Sequence, residues 1–189
     1  MTTIINASTS SGLVVSPDNS GAIALQSNGT TAALANLYGI GLASAVPSSG
    51  VGIAFPSTQV ASSDPNTLDD YEEGTWTPTC YHEGSNNSTW AYKVGYYVKI
   101  GGILHCWWTN DSGNSGTAGS ALKVSGLPFT ASSANLPYGT GGVWGSNGAT
   151  LTGNHFINAG STLVQLYRGG NDYTTQQSFV SGYFTFRVA

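Results

Sequence analysis

Four of the nine acidic residues fall within five positions: Asp69, Asp70, Glu72 and Glu73. Clustered carboxylates are the first place to look for general acid–base work, and a glycosidase holds two of them roughly 5–9.5 Å apart. Here the run surrounds Tyr71 and continues into Gly74-Thr75-Trp76-Thr77-Pro78. Residues of these types cap amides and shape turns, so structural roles are expected for the four acids. Outside residues 61–75 the acids are Asp18, Glu83, Asp111 and Asp172, with no two close in sequence. Only distant strands could pair Glu83 with Asp111 or Asp172. Glycan cleavage therefore stands behind the structural and binding readings, and the chain is expected not to be an enzyme.

Nucleophilic and metal chemistry find little support either. The three histidines are His82, His105 and His155, and no Gly-x-Ser-x-Gly turn presents a serine. Cys80, His82, His105 and Cys106 have the right types for zinc. On strands, however, Cys80 and His82 share a face, whereas the adjacent His105 and Cys106 point to opposite faces. At most three could converge, so no metal or other cofactor is expected. A ring of one histidine from three chains is the remaining metal option. The two cysteines read as small buried hydrophobes rather than a disulfide.

Binding is the remaining functional option. All five tryptophans and nine of the ten tyrosines lie from Tyr71 onward. Sugars stack on exposed aromatic faces, with Asn or Asp beside them supplying hydrogen bonds. Trp107 and Trp108 are consecutive, so on a strand one faces the core and the other faces away. The outward one is expected at a subunit interface or against a ligand. Loops 110–119 and 169–176 hold Asp111, Asn114, Asn171, Asp172 and Tyr173, the most ligand-like polar regions.

Composition narrows the partners. Only 7% of residues are charged, against roughly 25% in ordinary globular proteins. With 40% hydrophobic residues the chain is expected to fold and to keep soluble through Ser, Thr, Asn and Gly. The five basic residues, Lys93, Lys99, Lys123, Arg168 and Arg187, are scattered and the net charge is −4. Phosphate neutralisation needs a basic patch, which excludes nucleic acid as partner. No apolar run approaches the roughly 18 residues of a membrane helix, and Met1-Thr2-Thr3-Ile4-Ile5 has neither the charge nor the apolar run of a secretory signal.

The elements that must position these residues fall into three parts. Residues 1–60 are small, apolar and nearly uncharged. Strand-like pieces at Thr3–Ile5, Gly12–Val15, Ala22–Leu25 and Gly50–Phe55 are separated by turn signals such as Asn28-Gly29. About 60 such residues cannot bury enough apolar area alone, so an extended, intertwined oligomerising arm is expected. Leu34–Ala45 is the one candidate helix, stopped by Gly39 and Gly41. Residues 61–75 read as an acidic joint: Asp64 as N-cap, Pro65 at the first helical position, and a single helical turn ending at a left-handed Gly74. Residues 76–189 read as strands throughout: Trp90–Val94, Tyr96–Ile100, Ile103–Thr109, Ala121–Val124, Gly142–Trp144, Thr150–Phe156, Thr162–Tyr167 and Ser178–Val188. A further strand is expected to start at Thr75–Tyr81, with Pro78 at a sheet edge. The fold class is all-β, with a jelly-roll-like β-sandwich after the arm.

The stretch Asp64-Pro65-Asn66-Thr67-Leu68-Asp69-Asp70-Tyr71-Glu72-Glu73-Gly74-Thr75-Trp76-Thr77-Pro78 resembles a segment that recurs in bacteriophage tail-fibre and related virion structural proteins. Two further elements of that family follow in the expected order, Tyr97-Val98-Lys99-Ile100-Gly101 and Ser125-Gly126-Leu127-Pro128-Phe129. The resemblance covers roughly residues 55–135 and extends to 1–54 in style only. It implies a non-enzymatic virion protein assembled in the host cytoplasm, most simply a short homotrimeric tail fibre. Its arm would dock on other virion proteins and its head domain would recognise a host-surface glycan. A capsid decoration protein is the alternative, and a small glycan depolymerase stands behind both.

Overall fold

The computed structural model describes residues 21–58, 62–64, 66–84, 88–117, 121–133, 140–145, 154–168, 171–172 and 177–188. The chain divides into two compact units, Met1–Ala61 and Ser62–Ala189. The described residues hold strands and no helix, so the fold is all-β.

In the first unit, β1 (Ile23–Ser27), β2 (Thr30–Asn36), β3 (Gly39–Leu42) and β4 (Gly52–Ala54) form one sheet in sequence order. Asn28 and Gly29 both take positive φ, 50° and 77°, the signature of the two-residue type I′ hairpin that matches strand twist. The candidate helix at Leu34–Ala45 is corrected to the β2–β3 hairpin. Leu34 stands opposite Ala24 on one side and Gly41 on the other, and pairing on both sides outweighs helix propensity in a segment with two glycines. One face of this sheet carries the row Ile23, Ala35, Ile40 and Ile53, one residue from each strand, and its three isoleucines are exposed. The opposite face is backed by the unit's own chain: a Cβ on Gly41 would meet the Ala45 carbonyl oxygen at 1.8 Å and Pro47 Cδ at 3.0 Å. The expected strands Thr3–Ile5 and Gly12–Val15 lie outside the described residues.

The second unit begins with a turn. Asp64 Oδ1 accepts from the Asn66 amide at 2.9 Å, and the Asp64 carbonyl accepts from the Thr67 amide at 3.1 Å. Asp64 thus closes an Asx-type turn where an N-cap was expected, and Pro65 lies outside the described residues. Ten strands follow: β5 (Tyr71–Trp76), β6 (Thr79–His82), β7 (Thr89–Ile100), β8 (Ile103–Asn114), β9 (Leu122–Ser125), β10 (Thr140–Gly145), β11 (Asn154–Ile157), β12 (Val164–Arg168), β13 (Asn171–Asp172) and β14 (Val180–Arg187). One sheet runs β10-β14-β8-β7-β5. The other runs β11-β12-β9-β6, with β13 paired to β12. Inward residues of both sheets form a single hydrophobic cluster, among them Leu104, Trp108 and Phe184 from the first and Leu122, Val164 and Leu166 from the second. The arrangement is sandwich-like, but the strand order is not that of a jelly roll. β7 pairs with both of its same-sheet neighbours in sequence, β5 and β8, and Gly101 at φ 54° lets the chain reverse at once between β7 and β8.

The acidic run leads into an edge strand where a single helical turn was expected. Tyr71–Trp76 pairs with Gly95–Ile100. Gly74 is absent from the positive-φ glycines, and its role is to make room. A Cβ there would lie 2.8 Å from the Tyr97 hydroxyl, and one on Gly95 would lie 2.3 Å from Trp76 Nε1. Each aromatic therefore covers the glycine opposite it. The other family-like elements close on the same place. Lys99 pairs with Asp70 in the interior and stands 5.5 Å from the Phe129 ring centroid. Phe129 meets Tyr97 edge-to-face at 5.4 Å. A Cβ on Gly126, at φ 87°, would press to 2.4 Å from the Thr77 carbonyl oxygen. Three motifs separated in sequence thus form one brace.

After Trp76 the chain passes through Thr77-Pro78 from the edge of one sheet to β6, the edge of the other. Asn110, fully buried on β8, spans the two. Its Nδ2 donates to the Pro78 carbonyl at 3.0 Å and its Oδ1 accepts from the Cys80 amide at 2.6 Å.

Candidate functional site

Strand alternation on β8 sends Leu104, Cys106, Trp108 and Asn110 inward and leaves Ile103, His105, Trp107 and Thr109 on the outer face. Of the two consecutive tryptophans, Trp107 is the outward one, 48% exposed, and Trp108 is buried. Cross-strand register then assembles what sequence spacing hides. Tyr183 on β14, Trp107 on β8 and Tyr96 on β7 stand directly opposite one another, with Thr75 of β5 next in the row. Neighbouring strands lie about 4.8 Å apart, so the three rings form a continuous ridge. In the adjacent row stand Trp144, Ser181, Thr109 and Val94. Trp144 leans on Tyr183, with ring centroids 5.8 Å apart and planes 40° apart. All four aromatics are between 44% and 55% exposed, an unusual concentration for one sheet face.

Two clefts flank the ridge. One of about 340 Å³ is bounded by Tyr96, Trp107, Thr109, Trp144, Ser181 and Tyr183 among others. The second, of about 290 Å³, lies toward β5 and is lined by Glu73, Thr75, Tyr96, Val98 and Trp107 together with Gly74 and Tyr97. Tyr96 and Trp107 border both. Ser181 Oγ donates to the Trp108 carbonyl at 2.9 Å. Its contact with Thr109 Oγ1, also 2.9 Å, therefore takes its proton from Thr109, and the Thr109 oxygen keeps lone pairs for a further donor. In the next row His105 Nδ1 and Thr185 Oγ1 are 2.9 Å apart. A flat apolar ring beside a hydroxyl acceptor suits a sugar, which has a C–H face and hydroxyl edges.

Compared with protein-family models, curated proteins and solved structures, the chain matches none.

The clustered acids separate into different tasks. Asp69 Oδ2 accepts from the Ser62 amide at 2.7 Å. Asp70 is buried against Lys99, whose pKa burial lowers. Glu72 accepts from the Tyr97 hydroxyl, which burial, together with that carboxylate, pushes up to about 12. Glu73 points to the outer face and accepts from the Tyr71 hydroxyl at 3.2 Å. The polar loop residues do not gather at the ridge. Asp111 Oδ1 accepts from the Ser112 amide at 2.6 Å, and Asn114 bonds Thr89 Oγ1 and the Gly116 amide, so both serve the end of the β7–β8 hairpin. Asn171 and Asp172 form β13 on the other sheet, and Tyr173 lies outside the described residues. Tyr96, Trp144 and Tyr183 were not singled out by sequence, since their convergence depends on register between strands up to 87 positions apart.

The thiols and imidazoles sit apart from this face, His105 excepted. Cys80 and Cys106 are buried and free, and burial raises both thiols, Cys106 to about 12. His155 is buried, with Nε2 2.6 Å from the Tyr183 carbonyl oxygen, and burial lowers its pKa. Among the described residues no three His, Cys, Asp or Glu side chains converge as a metal site.

Proposed function

We propose that this chain is a non-enzymatic bacteriophage virion protein, a short homotrimeric tail fibre whose second unit presents the ridge of Tyr183, Trp107 and Tyr96 to a host-surface glycan. The observation that carries the recognition role is four half-exposed aromatics in two adjoining rows of one sheet, with a hydroxyl acceptor between them. Buried or lone aromatics need no such explanation. The virion role is supported by the three ordered motifs. A fibre also explains the first unit. No Asp, Glu, Lys, Arg or His occurs from residue 19 to 63, and the bare isoleucine row gains from contact with further copies of the chain. That unit would also be the attachment to other virion proteins.

The reading is tested by imaging labelled protein in intact phage particles and by binding of the purified chain to host cells. Density at the tail and cell binding competed by host glycan are expected. Density on the capsid shell would assign the decoration role. Release of oligosaccharide from host envelope would overturn the non-enzymatic assignment.

A further inference from the structure

The two clefts beside the ridge differ in charge. Among the described residues, the one bounded by Trp144, Thr109 and Ser181 has no charged side chain in its lining. The one toward β5 has a single charge, Glu73. Among the described residues no lysine, arginine or histidine lines either. Lys99 is neutralised in the interior by Asp70, Lys123 pairs with Glu83, Arg187 stands opposite Ile103 toward the end of β14, and Lys93 stands opposite Asn110, on the other face of β7 from the cleft-lining Val94.

Glu73 is exposed on the edge strand, and one of its oxygens already holds the Tyr71 hydroxyl. An ionised carboxylate only accepts hydrogen bonds, at about four lone-pair positions. Those left open fit two neighbouring hydroxyls of a sugar ring. They repel a uronate or sialate carboxylate, and no cation in either cleft offsets the cost of removing that second anion from water.

We infer that the ridge and its clefts take a neutral, hydroxyl-rich glycan chain laid across β5, β7, β8 and β14, and that Glu73 sets its charge specificity. This rests on the proposed role of the face in glycan recognition. One ring lies over Tyr96 and Trp107, one enters the cleft at Trp144 and Tyr183 with a hydroxyl donating to Thr109 Oγ1, and one enters the cleft at Thr75 with hydroxyls donating to Glu73. Sugar fits this surface better than a second copy of the chain packed on the same ridge. Such a copy would desolvate Glu73 against clefts whose described lining holds no cation, whereas a sugar supplies donors.

The test uses the full chain against a panel of matched oligosaccharides of three to five rings, neutral or bearing uronate or sialate, followed by calorimetric titration. Wild type is expected to bind neutral members only. Glu73→Gln is expected to weaken neutral binding about tenfold, the worth of one hydrogen bond to a charged group, and to narrow the gap to the acidic members. Trp107→Ala is expected to remove binding while the melting transition is retained. Acidic members binding wild type as well as neutral ones, or discrimination unchanged in Glu73→Gln, would overturn the inference and leave glycan recognition standing. Binding undiminished in Trp107→Ala would move the site elsewhere and overturn it too. No binding to either class by folded protein would overturn the recognition role, and this inference with it.

Discussion

Lys99 and Asp70 show how single charges are used in a chain that has few. Both are buried, and an ammonium or a carboxylate left alone in such a place is costly. Lys99→Met strands the Asp70 carboxylate and is expected to cost about 3–5 kcal/mol in urea denaturation, whereas Lys99→Met with Asp70→Leu is expected to recover most of it. His155 makes a pH prediction. Its folded pKa lies below the unfolded value, so the unfolded state takes up the proton first. Its contribution is full above about pH 6.5 and is lost as pH falls through that value toward the folded pKa. His155→Gln, which keeps an N–H for the Tyr183 carbonyl, should flatten the fall of melting temperature between pH 7 and 5. Residue identity alone announced neither role. That Trp107 and Trp108 must face opposite ways was legible, because strand alternation is local. Which one faced out depended on where the other sheet lay.

Glycines under aromatics and one bridging asparagine hold the elements together. Gly95→Val would drive a side chain into the Trp76 indole, and overpacking of this kind is expected to cost about 1–3 kcal/mol, measured as a shift in the denaturation midpoint. Asn110→Leu removes both cross-sheet bonds and leaves the Pro78 carbonyl and the Cys80 amide without that partner. The expected loss is about 2–4 kcal/mol, with β6 the first strand to exchange its amides for deuterium. Strand existence was largely readable: Tyr96–Ile100 and Ile103–Thr109 fall within β7 and β8, and Ser178–Val188 overruns β14 by two residues at its start and one at its end. Two assignments were not. Leu34–Ala45 carried helix formers but holds the β2–β3 hairpin, and the cap-like acidic stretch runs from Tyr71 on into a strand that pairs with β7. In both places long-range ladder bonds and packing outweighed a local preference worth a few tenths of a kcal/mol per residue.

For the molecule as a whole, the two units make different demands. Ser62–Ala189 owns a cluster fed by both of its sheets. In the described part of Met1–Ala61 every residue of β1 is exposed and Gly41 and Pro47 are the buried positions. A chain starting at Ser62 is therefore expected to melt cooperatively as a monomer, and the full chain to run as a trimer in light scattering. A full chain that is monomeric at micromolar concentration would remove the oligomeric role of the first unit.

The sequence by itself determined the all-β class, the Asn28-Gly29 turn and the alternation that exposes one of two tryptophans. These follow from composition and from interactions within a few residues. Only the tertiary structure decided that Tyr183, Trp107 and Tyr96 form one ridge, that Glu73 stands at its edge, and that three separate motifs form a single brace. Each depends on register between strands far apart in the chain, and register is set by shared core packing.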